Sequence, residues 1–334
     1  MTPPPAAESD AGLRRNHPVA ALLLRRLLQG VVTLVVVSIV IFAATEILPG
    51  NAAYAVLGRT ATHARLAAME HQLNLDRPAV VQYWLWLTGL LRGNLGKSLA
   101  NGQPVTALLG QQIVNSSALL VLAAIAGTVV GVGGGAVAAM RRDRVFDHVS
   151  SVITLAVTAL PEFVVGIAMI LLLSLEVWHL LPAVSLVQPG RSAWTQPRLL
   201  ALPVLTLTIV VVPYIFRMAR SALVAALQSE AVEMAQLKGA GPWRVLLVHA
   251  LPAAAAPLVQ VIGLNLCYLA GGIVVVEYVF NYPGIGAGLV NAVSNRDIPS
   301  IQATVLVLAA FYIVVNIATD LIALACSPRR RSRA

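Results

Sequence analysis

Few residues in this chain of 334 can do chemistry, and their spacing argues against most of it. The six histidines, His17, His63, His71, His148, His179 and His249, show no ligand spacing for a metal. Cys267 and Cys326 both lie in apolar runs, so packing rather than ligation or a disulfide framework is their expected role. Gly96-Lys97-Ser98 has the ending of a phosphate loop, but the position five residues before Gly96 holds Leu91 where a glycine is required. Gly131-x-Gly133 with Ala136 hints at a dinucleotide turn, yet it sits inside an apolar run with no strand before it. There is no nucleophile elbow and no HExxH. Nucleophilic, metal and nucleotide chemistry therefore have no constellation here, and neither a catalytic residue nor a bound cofactor or metal is expected in this chain.

Two carboxylates remain, Glu162 and Asp320, each embedded in apolar sequence. An ionisable group within a membrane span is a functional candidate by default. Glu162 follows Leu160-Pro161, where a kink frees backbone groups. Asp320 lies near one end of the last apolar run, placed to reach the interface or pair with an arginine. Neither has a relay partner in the sequence, so a structural role is preferred for both. Glu46 and Glu277 fall at the ends of their runs and are expected to be wet.

The elements that must position these groups are set by composition. Hydrophobic residues make up 58% and charged residues 11%, less than half the share usual in soluble domains. Mean hydropathy is +0.81. These values exclude a disordered chain, a collagen-like chain and an ordinary soluble enzyme. The net charge of +9 does not point to nucleic acid, because the basic residues punctuate apolar runs. A bilayer core needs roughly 20 helical residues. Six runs qualify: 27–45, 114–140, 149–175, 199–216, 250–276 and 298–319. Unpaired backbone cannot sit in hydrocarbon, so the runs are helices, and they lack the alternation of barrel strands. No cleavable signal peptide is evident, and the first run is long enough to stay as an anchor.

Arginine placement sets the expected orientation. With the N-terminus inside, the inner side holds Arg14, Arg15, Arg25, Arg26, Arg141, Arg142, Arg144, Arg217, Arg220, Lys238, Arg244 and the tail Arg329, Arg330, Arg331 and Arg333. The short outer loops hold only Arg191, Arg198 and Arg296, so both termini are expected in the cytoplasm. The expected organisation is a cytoplasmic tail over 1–21, a first transmembrane helix over 22–47, and an outer loop with short helices over 48–113. A five-helix core over 114–326 follows, with an inner loop at 217–249, and a basic tail over 327–334 ends the chain. Within the outer loop, helices are predicted near 61–73 and at 79–91, the latter with Tyr83, Trp84 and Trp86 at headgroup level. Gly127, Gly131 and Gly135 give small-xxx-small spacing, expected to let two helices pack closely. Pro161, Pro213 and Pro257 can each kink a helix.

The inner loop is the most structured connector. Ser229 is placed to N-cap a short helix with Glu230 and Glu233 in its first turn. Lys238 closes that helix, Gly239 supplies a left-handed residue, and Pro242 opens a second helix running toward Leu251. Met234 and Leu237 share a face. The result is a rigid knob facing the cytoplasm.

This loop resembles a known motif. Glu233-x-Ala235-x-x-x-Gly239, then nine residues and Leu251-Pro252 two positions further on, is similar to the EAA loop of binding-protein-dependent ABC importer permeases, with Met234 and His249 as departures. Leu48-Pro49-Gly50-Asn51, Leu73-Asn74-Leu75-Asp76-Arg77-Pro78, Gly93-Asn94-Leu95-Gly96, Leu160-Pro161-Glu162-Phe163, Glu277 to Gly286 and Arg296-Asp297-Ile298-Pro299 follow in family order. Together they resemble the B-type permease of the dipeptide/oligopeptide/nickel importer group. The resemblance implies an all-α integral membrane protein with six transmembrane helices in the MetI-like, type I importer permease fold, carrying a cytoplasmic coupling helix and a long extracytoplasmic loop. It implies ATPase coupling through Glu233, Ala235, Leu237, Lys238, Gly239, Leu251 and Pro252. It also implies a homologous second permease, two ABC ATPase subunits or one fused ATPase binding ATP and magnesium, an extracytoplasmic binding protein and a bacterial inner membrane. The cargo expected is a di- or oligopeptide, although the group also carries nickel chelates, glutathione and some sugars. The alternative is an ion-coupled secondary transporter, which would need paired repeats of broken helices that the sequence lacks.

Overall fold

The computed structural model describes residues 18–47, 62, 64, 71, 76–176, 178–188 and 191–326. Among these there are helices and an isolated bridge from Lys97 to Pro104, with no strand. The helix predicted near 61–73 and both terminal tails lie outside the described residues, apart from isolated positions.

Ten helices organise what is described: α1 Pro18–Ile47, α2 Ala79–Leu91, α3 Val105–Met140, α4 Val145–Thr158, α5 Glu162–Ile170, α6 Pro197–Leu227, α7 Glu230–Leu237, α8 Ala255–Val279, α9 Ile285–Ser294 and α10 Ile298–Cys326. Five of them, α1, α3, α6, α8 and α10, are long and apolar enough to cross a membrane unbroken. The expected third span is instead two helices, α4 and α5, the latter extended by a π-turn over Leu171–Leu175 and bent 102° from α4. The cause is local. Pro161 has no N–H to give, it disfavours helical geometry at the residue before it, and it itself takes an extended conformation at the start of α5.

Three expected boundaries move. The helix α3 begins at Val105, so 105–113 belongs to a span and not to the outer loop. Gln111 and Gln112 disguised this stretch, but Val105 and Leu109 are buried against Ile285 and Ala303. The helix α6 continues through Arg217 to Leu227, so the first third of the expected inner loop is an extension of a span. It adds about 16 Å of rod. The fifth span starts at Ala255 rather than Ala250.

The helices α3, α6 and α8 form the centre, with α5 against α6 and α10 against α8. The first helix packs on α10 at the rim, exposing Leu28, Val32 and Val36 as a lipid-facing helix should. The closest seam is α3 on α6, where the predicted glycines sit. A Cβ on Gly131 would lie 2.7 Å from the Ile215 side chain, and one on Gly135 would lie 2.7 Å from the Phe216 carbonyl oxygen. The helices therefore approach to a distance that only glycine permits.

Glu277 overturns its expectation. It is 0% exposed, not wet. Its carboxylate accepts from the Ser116 hydroxyl, from Gly286 N at 2.7 Å and from Ala287 N at 3.1 Å, bonding the end of α8 to the first turn of α9 and to α3. Tyr282 donates its hydroxyl to Asn115 O at 2.7 Å, and Asn115 returns a bond to Pro283 O at 2.8 Å. Nearby, Asp297 accepts from Ser98 Oγ, Leu99 N and Ser300 Oγ. The Gly96-Lys97-Ser98 decoy is thus the near leg of a turn that pins the segment before α3 to the start of α10.

Candidate functional site

At the opposite end of the bundle, α6 runs on to Leu227, turns, and gives way to the helix–turn–helix knob. Ser229 occupies the N-cap position of α7, but its hydroxyl donates back to Ala226 O at 2.7 Å instead of accepting from the helix, correcting its expected capping role. Glu230 and Glu233 lie in the first turn as expected, where the helix dipole favours acid. The far end closes as a Schellman turn. Gly239 N donates to Gln236 O at 2.8 Å, and Ala240 N donates to Ala235 O at 3.1 Å. Gly239 takes φ +79°, the left-handed conformation that glycine adopts without cost.

The second arm is less regular than the expected helix. Pro242 opens one turn to Arg244, a π-turn spans Val245–Ala250, and a further turn covers Leu251–Ala253 before α8 begins. Pro252 has no N–H for the bond that would keep this arm a plain α-helix into α8, and a π-turn is one way of absorbing the missing bond. His249 lies within the π-turn.

The knob has two unlike faces. Val232 and Ala235 of α7 and Val245, Leu246 and Ala250 of the second arm are buried together against Ala136, Ala139, Ala219 and Leu223. Small residues on α3 and α6 let the knob seat low on the bundle. Outward, Leu237 is 76% exposed and Trp243 59%, with Met234, Leu247 and Val248 more than half exposed. Five large apolar side chains are thus left in open positions on one short, well-packed element, the kind of exposure that marks a protein interface. Glu233 and Lys238 flank it, also exposed. The seven residues singled out from sequence therefore divide by task. Ala235 and the half-buried Leu251 hold the knob to the bundle, Gly239 makes its turn, Pro252 shapes its second arm, and Glu233, Leu237 and Lys238 face outward.

A bidentate ion pair that the sequence did not reveal steadies the base. Arg220 on the α6 extension grips Asp147 at the start of α4 through both Nε and Nη2, and Asp147 also accepts from Asp143 N at 3.0 Å. The signal was present, an arginine and an acid each at the edge of an apolar run, but their pairing spans 73 positions.

The two intramembrane carboxylates are far apart. Asp320 pairs with Arg26 at 2.6 Å, tying α10 to α1, as the arginine option anticipated. Glu162 starts α5 and reaches α8, where Gly272 leaves room: a Cβ there would lie 2.6 Å from Glu162 Oε2. A cavity of about 580 Å³ opens between α6, α8 and α10, lined by Tyr214, Arg217, Asn265, Tyr268 and Tyr312 among others. Among the described residues no cluster of three or more His, Cys, Asp or Glu could hold a metal ion.

Comparison with known proteins agrees with this geometry. Residues 131–332 match the family described as binding-protein-dependent transport system inner membrane component, and residues 19–126 match the N-terminal domain of such components. The chain is similar to "Probable peptide ABC transporter permease protein y4tP" of Sinorhizobium fredii, at 34% identity over 92% of this chain and 98% of that one. It is likewise similar to the glutathione transport system permease protein GsiC of Salmonella choleraesuis (34% identity) and of Escherichia coli (32%), again over 92% of this chain and 98% of theirs. Among solved structures, a chain of the MetNI methionine ABC transporter in inward-facing form superimposes with a TM-score of 0.53 at 19% identity, covering 66% of this chain and 97% of that one. That likeness establishes the fold.

Proposed function

The chain belongs to the family of binding-protein-dependent transport system inner membrane components, ABC importer permeases of the inner membrane, and on that premise we propose that it carries short peptides and is driven through the knob at 229–253. The observation that carries the coupling role is the two-faced knob. Its inner face is packed into the ends of α3 and α6, so a force on it is delivered to those helices and to α8 as one body. Its outer face offers Leu237, Trp243 and their neighbours to a partner. The occupant of that face is an ATPase subunit, or one half of a fused pair, which binds the ATP and magnesium. The knob and both termini lie in the cytoplasm, in keeping with the arginine distribution. A homologous permease completes the pathway, and an extracytoplasmic binding protein delivers cargo at the end locked by Glu277. Alternation of the two permeases between outward and inward openings follows closure and hydrolysis at the ATPases.

Peptide cargo is favoured because the relatives named above carry peptide and glutathione, itself a tripeptide. Gly239→Val tests the coupling role. A β-branched residue at φ +79° costs about 1–3 kcal/mol in local strain, so the turn opens and the outer face loses its shape. Uptake and co-purification of the ATPase are both expected to fall about tenfold while the chain still reaches the membrane. Normal uptake with normal co-purification overturns the assignment.

A further inference from the structure

The cavity between α6, α8 and α10 borders an arrangement that neither the coupling role nor the fold requires; it begins on the lining at Arg217 and ends beyond it at Glu162 of α5. Arg217 lies 5.7 Å from the centre of the Tyr214 ring. Tyr214 is in turn 5.7 Å, centre to centre, from Tyr268. Tyr268 lies one turn before Gly272 on α8, and Gly272 is the position against which the Glu162 carboxylate packs. A guanidinium, two aromatic rings and a carboxylate therefore follow one another as neighbours from α6 through α8 to α5. Asn265 lines the same cavity, and its amide nitrogen is engaged with Val261 O at 2.8 Å, which leaves the amide oxygen as an acceptor there.

Each member has a bland reading that the geometry weakens. Arg217 could serve topology alone, like other basic residues at this end. Yet Arg220, three positions on, is held by Asp147, and Arg26 by Asp320, whereas Arg217 has no carboxylate within 4.0 Å among the described residues and lines the cavity. Glu162 could serve only as an acid at the start of α5. Yet it points away to α8, into space that exists because residue 272 is glycine. Opposite charges at the two ends of an aromatic line match a molecule with a charge at each end. The cavity's volume suits a small ligand.

We propose that Arg217 and Glu162 are the charged ends of a cargo-reading line, taking respectively the carboxylate and the ammonium of a short zwitterionic peptide while Tyr214 and Tyr268 face its backbone. This rests on the peptide reading above and adds that the permease itself, not only a delivering protein, discriminates by terminal charge. A charge-assisted hydrogen bond to a desolvated terminus is strong enough that its loss should slow passage about tenfold.

The test uses the intact complex in proteoliposomes with saturating binding protein, and trialanine in three forms: free, C-terminally amidated and N-acetylated. Arg217→Gln is expected to slow the free and acetylated forms about tenfold and leave the amide near the wild-type rate. Glu162→Gln should slow the free and amidated forms and spare the acetylated one. Variants that slow all forms equally, or none, overturn the proposal. If the wild type moves only the free form, Arg217→Lys and Glu162→Asp decide. Substantial retention of uptake supports a charge contact, and losses as deep as those of the glutamine variants overturn it. Co-purification of the ATPase shows that each variant is folded. Failure of the wild-type complex to move any form overturns the peptide reading itself, and with it this proposal.

Discussion

The two ends of the bundle solve opposite problems. At the Glu277 end, polar groups are buried and satisfied within the chain: one carboxylate takes three donors, Tyr282 and Asn115 exchange bonds with backbone, and Asp297 gathers the segment before α3. At the knob end, the buried contacts are mostly small and apolar, and large apolar side chains are left outside. An end that completes its own bonds is a fixed frame. An end whose exposed leucine and tryptophan sit on a helix–turn–helix knob is shaped to receive a partner. On the coupling role proposed above, the contrast puts rigidity and partnership at opposite ends of the same helices, which is what a lever needs.

The sharpest way to break the contrast is at the frame. Glu277→Ala leaves the Ser116 hydroxyl and the Gly286 and Ala287 amides without their acceptor in a dry site. A loss of about 3 kcal/mol is expected, read as a lower thermal midpoint in detergent or as failure to accumulate in the membrane. A midpoint equal to that of the wild type would show that this end is not a frame. Next in size is the seam that joins the two ends. Gly135→Val places side-chain atoms against the Phe216 carbonyl and the Ala219 methyl, neither of which can rotate away. About 2 kcal/mol should be lost on overpacking α3 against α6, by the same measurement. Smaller again is the rim. Asp320→Asn breaks the pair with Arg26, whose side chain remains 43% exposed. At most about 1 kcal/mol is expected, and less at high salt.

How much of this was legible in the sequence follows the same division. Features set by local geometry could be read directly. Gly239 and Pro242 are at the positions that a left-handed stop and a helix start require, and the predicted helix at 79–91 has those bounds. The spacing of Gly131 and Gly135 announced a close seam, though not that α6 was its other side. Features set by distant partners could not be read. Glu277 looked like a wet residue at the end of a run because its donors come from Ser116, 161 positions away, and from the turn beyond it. Even so, Gly284 carried a trace of this, since any side chain there would strike the Glu277 carboxylate. The early start of α3 and the overrun of α6 were hidden by polar residues that hydropathy treats as boundaries, although tertiary contacts keep both stretches helical. The π-turn before Pro252 had a cause in the sequence but no unique outcome.

The smallest expected effect on the chain itself is the most informative about its partner. Leu237 is 76% exposed on α7 and belongs to none of the buried clusters. Truncating it to alanine keeps helix propensity high and opens no cavity. Stability of the isolated chain should therefore change by less than about 0.5 kcal/mol, as for most surface substitutions. Binding is another matter. A large apolar side chain left this exposed on a docking element is worth about 1–2 kcal/mol of association when a partner buries it. Leu237→Ala is thus expected to leave the thermal midpoint in place and to weaken retention of the ATPase roughly tenfold in a salt-washed pull-down. The two readouts separate the ends of the molecule: Glu277→Ala should move the first, and Leu237→Ala only the second. A midpoint shift in Leu237→Ala with full ATPase retention would mean that the outward face serves the chain's own fold, and the assignment of frame and partner surface would have to be exchanged.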